Sequence, residues 1–146
     1  MVDEGLLRTL KSKDELLSWN GYLLVETSFH SFPLIFEEIL FEIQSRNLIP
    51  VYAHPERYPY YFEKTDQLID LKARGILLQV NAGSISGYYG SAARKMARNL
   101  LKSGLVDFIG SDAHGDNHMI ELNKCLRNRA LFKEGSVPFK NTELIS

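Results

Sequence analysis

Two short stretches hold the side chains best suited to chemistry. In Leu48–Tyr60, LIPVYAHPERYPY, an aliphatic run ends abruptly at His54-Pro55-Glu56-Arg57. In Val106–Gly115, VDFIGSDAHG, a second apolar run ends at Asp112 and His114. A third, beginning at Tyr22, ends at Glu26. Imidazole with carboxylate is a mixed N/O ligand set that suits Mn, Fe, Zn or Ni, and no thiolate narrows the choice. Such ions activate water and polarise a phosphoryl oxygen. Arg57 adds a planar fork that can hold two phosphate oxygens at once. Metal plus arginine is an arrangement for phosphoester hydrolysis. No activated Ser or Cys nucleophile competes with it: Cys125 falls in a predicted helix, without the loop a cysteine phosphatase needs.

Each of these residues also has a plainer reading. Glu26 alone is a loop hydrogen-bond acceptor, and His54 a loop cap. Arg57 alone pairs with Glu56 or Glu63. Asn81 and Ser84, at the end of another apolar run, satisfy loop backbone. Asp112-x-His114 is more pointed, because both side chains reach the same side of an extended turn. His30 and His118 read as surface or loop histidines. The ligand reading gains force only if adjacent strands bring these ends together.

The elements that must do so are legible from periodicity and breakers. Residues 3–11 suit a short helix with Leu6, Leu7 and Leu10 on one face. DELLSWNGYLLVETS reads as a β-hairpin around a type I′ turn at Asn20-Gly21. Pro33 opens a helix over 33–46, with Leu34, Ile35, Ile39, Leu40 and Ile43 as its apolar stripe and Asn47 as its left-handed cap. Strand Ile49–Ala53 follows, with Pro50 tolerable near its start, and Pro55 should hold His54 extended. A helix over 65–74 closes at Gly75, and strand Ile76–Val80 ends at Asn81-Ala82-Gly83-Ser84. A glycine-rich loop to Gly90, a helix over 91–103, Gly104 and strand Val106–Ile109 come next. A last helix over 119–131 precedes an irregular tail.

Helix, cap, short strand and polar end thus recur about every 30 residues, the spacing of a βαβ step. Short strands with aliphatics on both faces indicate a parallel sheet covered by helices. In α/β folds function collects at the C-terminal ends of the strands. Glu26, His54, Asn81 and Asp112/His114 all stand at such ends.

Composition bounds the rest. With 146 residues and a net charge of −1, the chain is one domain or part of one, without a basic field for nucleic acid. The basic residues of Arg94–Lys102 read as a solvated helix face. A lone Cys125 gives no disulfide framework and fits a reducing compartment. No apolar run is long enough to span a bilayer, and MVDEGLLRTL is not a signal peptide. A cytoplasmic protein without membrane insertion is expected.

HPERY at His54–Tyr58, QVNAGS at Gln79–Ser84, GSDAHG at Gly110–Gly115 and VET at Val25–Thr27 together resemble the PHP-superfamily tyrosine-protein phosphatases of the CpsB/YwqE type, which act in capsule and exopolysaccharide synthesis. The resemblance runs from about Leu6 to the end. It implies an α/β fold, the C-terminal portion of a PHP-type distorted (β/α)7 barrel, with residues 1–146 as a single partial domain. It implies Glu26, His54, Asp112 and His114 as ligands of a three-metal centre, with Mn2+ first and Fe or Zn as alternatives. Arg57 would hold the phosphate, with Asn81 and Ser84 beside it. Water would attack phosphorus in line, with Arg57, His54 and Asp112 as the catalytic set and no phosphoenzyme. The implied partner is a phosphotyrosine protein, the C-terminal tail of a bacterial tyrosine kinase.

Two departures from the family pattern shape the expectations. Members begin with a strand carrying H-x-H and further acidic ligands, none of which is in this chain, so a full cluster would need ligands from elsewhere. The arginine that often follows SDAH is also missing, the next being Arg127. A partial barrel would have open sheet edges and the capacity to self-associate through them. Weak or absent activity is expected for these residues alone. Two other readings stay open: a non-catalytic kinase-binding domain, and another PHP phosphoesterase such as a histidinol phosphatase.

Overall fold

The computed structural model describes residues 1–12, 15–62, 64–113, 115, 120, 122–123 and 139–141. The first helix, α1, covers Glu4–Ser12. Asp3 starts it by accepting the Leu6 N–H at 2.8 Å, which satisfies one of the unpaired donors of a first turn. Leu10 is buried, with Leu6 and Leu7 packed beside it.

At the Asn20-Gly21 turn both residues have positive φ, 48° and 82°, as a type I′ turn requires. The hairpin expected around it is reduced to one antiparallel bridge between Trp19 and Tyr22. Leu17 and Trp19 are exposed and only Leu16 packs against the core, so the residues before the turn have little buried surface to hold a strand in place. Tyr22–Val25, β1, instead pairs in parallel with Ile49–Ala53, β2.

Between them α2 covers Phe36–Ser45, starting later than Pro33. The Pro33 carbonyl accepts the Phe36 N–H at 3.1 Å in a turn before the helix. Leu34 therefore lies ahead of the helical register and is fully exposed; the buried stripe is Phe36, Ile39, Leu40 and Ile43. Asn47, with φ 57°, makes the left-handed exit.

Pro50 sits in β2 at no cost in ladder bonds. The Ile49 N–H bonds β1 through the Gly21 carbonyl, so alternation turns the Pro50 nitrogen toward β3. That is one residue before β3 pairing begins at Val51 opposite Leu77.

α3 covers Thr65–Ala73 and β3 covers Leu77–Asn81. The stretch expected as a loop contains a short helix, α4, over Ala82–Ser86, ended by Gly87 at φ 98°. α5 covers Ser91–Lys102 and buries Ala93, Met96, Ala97, Leu100 and Leu101. β4 covers Phe108–Gly110. The expected helix over 119–131 and nearly all of the tail lie outside the described residues.

The four strands are parallel and ordered β1-β2-β3-β4, so the fold is α/β with flanking helices. The core packs Leu23, Val25, Tyr52, Leu78 and Val80 against the helices. The opposite face, expected to be covered by helices too, lines a cavity of about 530 Å³ with Tyr22, Leu24, Val51, Ala53, Gln79 and Phe108. Tyr22 on β1 and Phe108 on β4 meet edge to face, with centroids 5.5 Å apart. Three flat inter-strand spacings would separate those strands by about 14 Å. The sheet therefore curls, with the cavity on its concave side.

Neither outer edge is bare. The Asn141 amide embraces the Ile109 backbone, accepting its N–H at 3.0 Å and donating to its carbonyl at 2.9 Å. The Lys140 N–H reaches the Asp107 carbonyl at 2.8 Å. On the β1 side, Trp19 bonds Tyr22, and the Val2 N–H donates to the Glu26 carbonyl at 2.7 Å. The expectation of two open edges narrows accordingly.

Candidate active site

Glu26, His54 and Asp112 stand just past the ends of β1, β2 and β4 and line the same concave cavity. His114 lies outside the described residues. Parallel pairing in sequential order accounts for the convergence, because every strand then ends on the same rim.

His54 is not extended as expected. It adopts the left-handed conformation, φ 37° and ψ 50°. Proline disfavours the right-handed α region for the residue before it, and His54 takes the left-handed region instead of the extended one. Two backbone bonds fix the choice: the His54 N–H continues the ladder to the Gln79 carbonyl at 2.8 Å, and its carbonyl accepts the Arg57 N–H at 3.0 Å. Asp112 is left-handed too, with φ 49°. Strained backbone of this kind clusters at functional sites.

The imidazole is buried, stacked on the Phe29 ring at 5.8 Å and tilted against Tyr58 at 5.3 Å. Burial, and then the Arg57 charge, hold its pKa below the ordinary histidine value. It is therefore neutral at physiological pH, the form that ligates metals. Its Nε2 faces the Glu26 carboxylate at 3.4 Å. That gap is wider than a good hydrogen bond. It matches the separation of two ligands on one ion, about 3.0–3.4 Å for bonds of about 2.0–2.2 Å. The buried Nδ1 has no hydrogen-bond partner among the described residues. Glu26 and His54 therefore fit as two members of a ligand set. Among the described residues no group of three His, Cys, Asp or Glu side chains converges as one.

Arg57 pairs with Asp112, Nη1 to Oδ2 at 2.5 Å, rather than with Glu56; Glu63 lies outside the described residues. Its guanidinium lies over the Tyr89 ring at 4.0 Å and the Phe29 ring at 5.0 Å. Two aromatic walls thus hold the fork in place by cation–π attraction.

Asn81 and Ser84, expected beside the substrate, are fully buried and turned toward other protein groups. The Asn81 amide donates to Asp112 Oδ2 at 2.9 Å and accepts from Gln79 Nε2 at 2.8 Å. Gly110 makes room for this chain of bonds: a Cβ there would lie 2.3 Å from Gln79 Nε2. The Ser84 hydroxyl donates to Glu56 Oε1 at 2.6 Å, and the Asn81 N–H donates to the same oxygen at 3.0 Å.

Glu56 is the residue that sequence reasoning passed over. It is wholly buried beneath Arg57, and burial pushes its carboxyl up to about 7. The available signal was its place between Pro55 and Arg57, where a tight turn had to send one side chain inward. A tyrosine cluster was missed as well. The Tyr52 and Tyr60 hydroxyls meet Thr27 Oγ1 at 2.7 and 2.5 Å, and the Tyr58 hydroxyl accepts the Thr27 N–H at 2.9 Å. Three phenols so fix the residue next to Glu26. The repeated tyrosines of RYPYY were visible, but their common target was not.

Known proteins share this sequence and fold. Residues 1–133 match the family described as capsular polysaccharide synthesis, CpsB/CapC. CapC of Staphylococcus aureus, whose name proposes a tyrosine-protein phosphatase, is 30% identical over 149 aligned positions, spanning 99% of this chain and 58% of CapC. The tyrosine-protein phosphatase YwqE of Bacillus subtilis is 34% identical over 105 positions, 70% of this chain and 41% of YwqE. A crystal structure from work on YwqE and on CpsB of Streptococcus pneumoniae, described as metal-dependent tyrosine phosphatases, superposes with a TM-score of 0.69 at 26% identity. It covers 90% of this chain and 61% of that one. This chain therefore spans about three-fifths or less of each relative's length.

Proposed function

We propose, from the premise that this chain belongs to the CpsB/CapC family, that its site serves metal-dependent hydrolysis of phosphotyrosine. The observation that carries this reading is the approach of His54 to Glu26 in a cavity that Asp112 also lines, with Arg57 paired to Asp112. The curled parallel sheet supports reading residues 1–146 as one partial domain of the PHP type, part of a distorted (β/α)7 barrel.

Glu26, His54 and Asp112, with His114, are the residues that would hold metal; Mn2+ suits the N/O donor set, as do Fe and Zn. Bound there, the metal would supply Lewis-acid stabilisation of phosphoryl charge and lower the pKa of water. Arg57 binds two phosphoryl oxygens and fixes the phosphorus for in-line attack. Tyr89 and Phe29 hold the guanidinium and give the substrate's phenyl ring an apolar wall. Asn81 aims the Asp112 carboxylate, and the neutral His54 offers a lone pair without first losing a proton.

The substrate would be a phosphotyrosine protein, the tail of a bacterial tyrosine kinase being the family expectation. Among the described residues no helix is long and apolar enough to cross a membrane, and a cytoplasmic place is proposed. The chain's own turnover is proposed to be slow, because few ligands hold metal weakly. Elemental analysis combined with a substrate panel tests the assignment. Bound Mn, Fe or Zn and preference for phosphotyrosine over histidinol phosphate support it. Absence of stoichiometric metal favours a non-catalytic binding domain, and preference for histidinol phosphate favours another phosphoesterase.

A further inference from the structure

The chain's net charge is close to zero, yet α5 gathers cations along a cleft of about 570 Å³ lined by Arg94, Lys95, Arg98 and Lys102. Its other lining residues are Ser, Gly and Asn, with no acidic side chain among them. Four cations elsewhere are paired: Lys11 with Glu38, Arg57 with Asp112, Lys72 with Asp107, and Arg74 with Glu37. Among the described residues the four cations of the cleft have no carboxylate partner. The Arg98 Nε is buried there with no hydrogen-bond partner, and the Arg94 stem lies against Gly87.

The cleft adjoins another on the Arg57 side of the candidate active site. Gly90 and Ser91 form part of its wall, and they also line a neighbouring cleft walled by Arg57, Tyr89 and Phe29. A chain whose phosphotyrosine reached Arg57 would leave along this path. We propose that the α5 cleft binds an acidic segment of the substrate polypeptide flanking the phosphotyrosine. The proposal rests on the phosphotyrosine reading of the site.

Charge complementarity selects the occupant. Four cations without a carboxylate partner among the described residues favour carboxylates, and no aromatic side chain is among the described lining to stack bases as single-stranded nucleic acid requires. Arg94 to Lys102 spans about 12 Å of helix. An extended peptide covers that length with about four residues. The segment recognised is therefore a run of about four residues rich in Asp and Glu on one side of the phosphotyrosine.

Fluorescence anisotropy on the EDTA-treated full chain, in low salt, tests this with three labelled peptides. One carries phosphotyrosine with a four-residue acidic flank, one carries phosphotyrosine with a serine flank, and one is acidic but unphosphorylated. The acidic phosphopeptide is expected to bind about tenfold more tightly than its serine counterpart. In Lys95→Glu/Lys102→Glu that gain disappears, while the serine-flank phosphopeptide binds as before. Both lysines are exposed, so an unchanged melting temperature is expected to accompany the loss. A gain retained in the double variant overturns the proposal, as does tighter binding of an oligonucleotide of equal charge. If the lysines govern acidic binding but Arg57→Ala leaves phosphopeptide affinity unchanged, the cleft stands and only the phosphotyrosine reading falls.

Discussion

Arg57 Nη1 lies 2.5 Å from Asp112 Oδ2, and Asn81 Nδ2 donates to that same oxygen at 2.9 Å. The phosphate-binding candidate and a metal-binding candidate are thus one charge pair, set by an amide from β3 and framed by the rings of Tyr89 and Phe29. Arg57→Ala is expected to lower kcat/KM for a phosphotyrosine peptide by about 100-fold or more. Arg57→Lys restores little of it, because an ammonium lacks the fork that meets two oxygens. Steady-state kinetics of the two variants check this, and a lysine variant within threefold of wild type contradicts it.

The 3.4 Å approach of His54 Nε2 to Glu26 makes a separate prediction about metal. Glu26→Gln and His54→Ala are each expected to weaken Mn2+ binding by about tenfold or more, since even supporting residues of metal sites are worth that much. Isothermal titration calorimetry on EDTA-stripped protein gives the constants. A variant that binds like wild type removes its residue from the ligand set.

Glu56 predicts a pH dependence of stability in the metal-free chain. Its carboxyl keeps its proton up to about pH 7 when folded, against 4.5 ordinarily. Its contribution is complete below pH 4.5 and is lost as pH rises through about 7. The ceiling is about 3 kcal/mol, from 1.36 kcal/mol per pKa unit. Glu56→Gln retains the oxygen that accepts from Ser84 and Asn81 and cannot ionise. Melting temperatures measured between pH 5.5 and 8 should therefore fall less for the variant. Equal slopes would contradict the buried-acid assignment.

Thr27→Val removes the hydroxyl on which Tyr52 and Tyr60 converge. Burying phenol groups without that partner should cost about 1–3 kcal/mol in urea denaturation. Mn2+ affinity should drop alongside, because Glu26 adjoins the loosened residue. Full stability in the valine variant would show that the phenols find other partners at no cost.

Sequence and structure agree most closely where a local signal suffices. Asn47, Gly75 and Gly104 end their helices with positive φ because short, polar or absent side chains tolerate that region. Glu26, His54 and Asp112 reached one rim because sequential parallel strands share a polarity. Long-range partners were not legible. Nothing local to Arg57 shows that Asp112 rather than Glu56 pairs with it, since that depends on how β4 docks beside β3. Pro55 disfavoured the right-handed α region for His54, and the ladder bond to Gln79 together with the local turn bond from Arg57 goes with the left-handed one. The segment before Trp19 had hairpin chemistry in its turn but, with Leu17 exposed, little buried surface to make it a strand.

The most direct test is phosphate release from a phosphotyrosine peptide by the EDTA-stripped 146-residue chain as Mn2+ is added back. Wild type is compared with His54→Ala and Arg57→Ala. Slow release that rises with Mn2+, more than tenfold below that of YwqE, and vanishes in both variants is the predicted result. Release that persists in EDTA or in both variants contradicts the assignment.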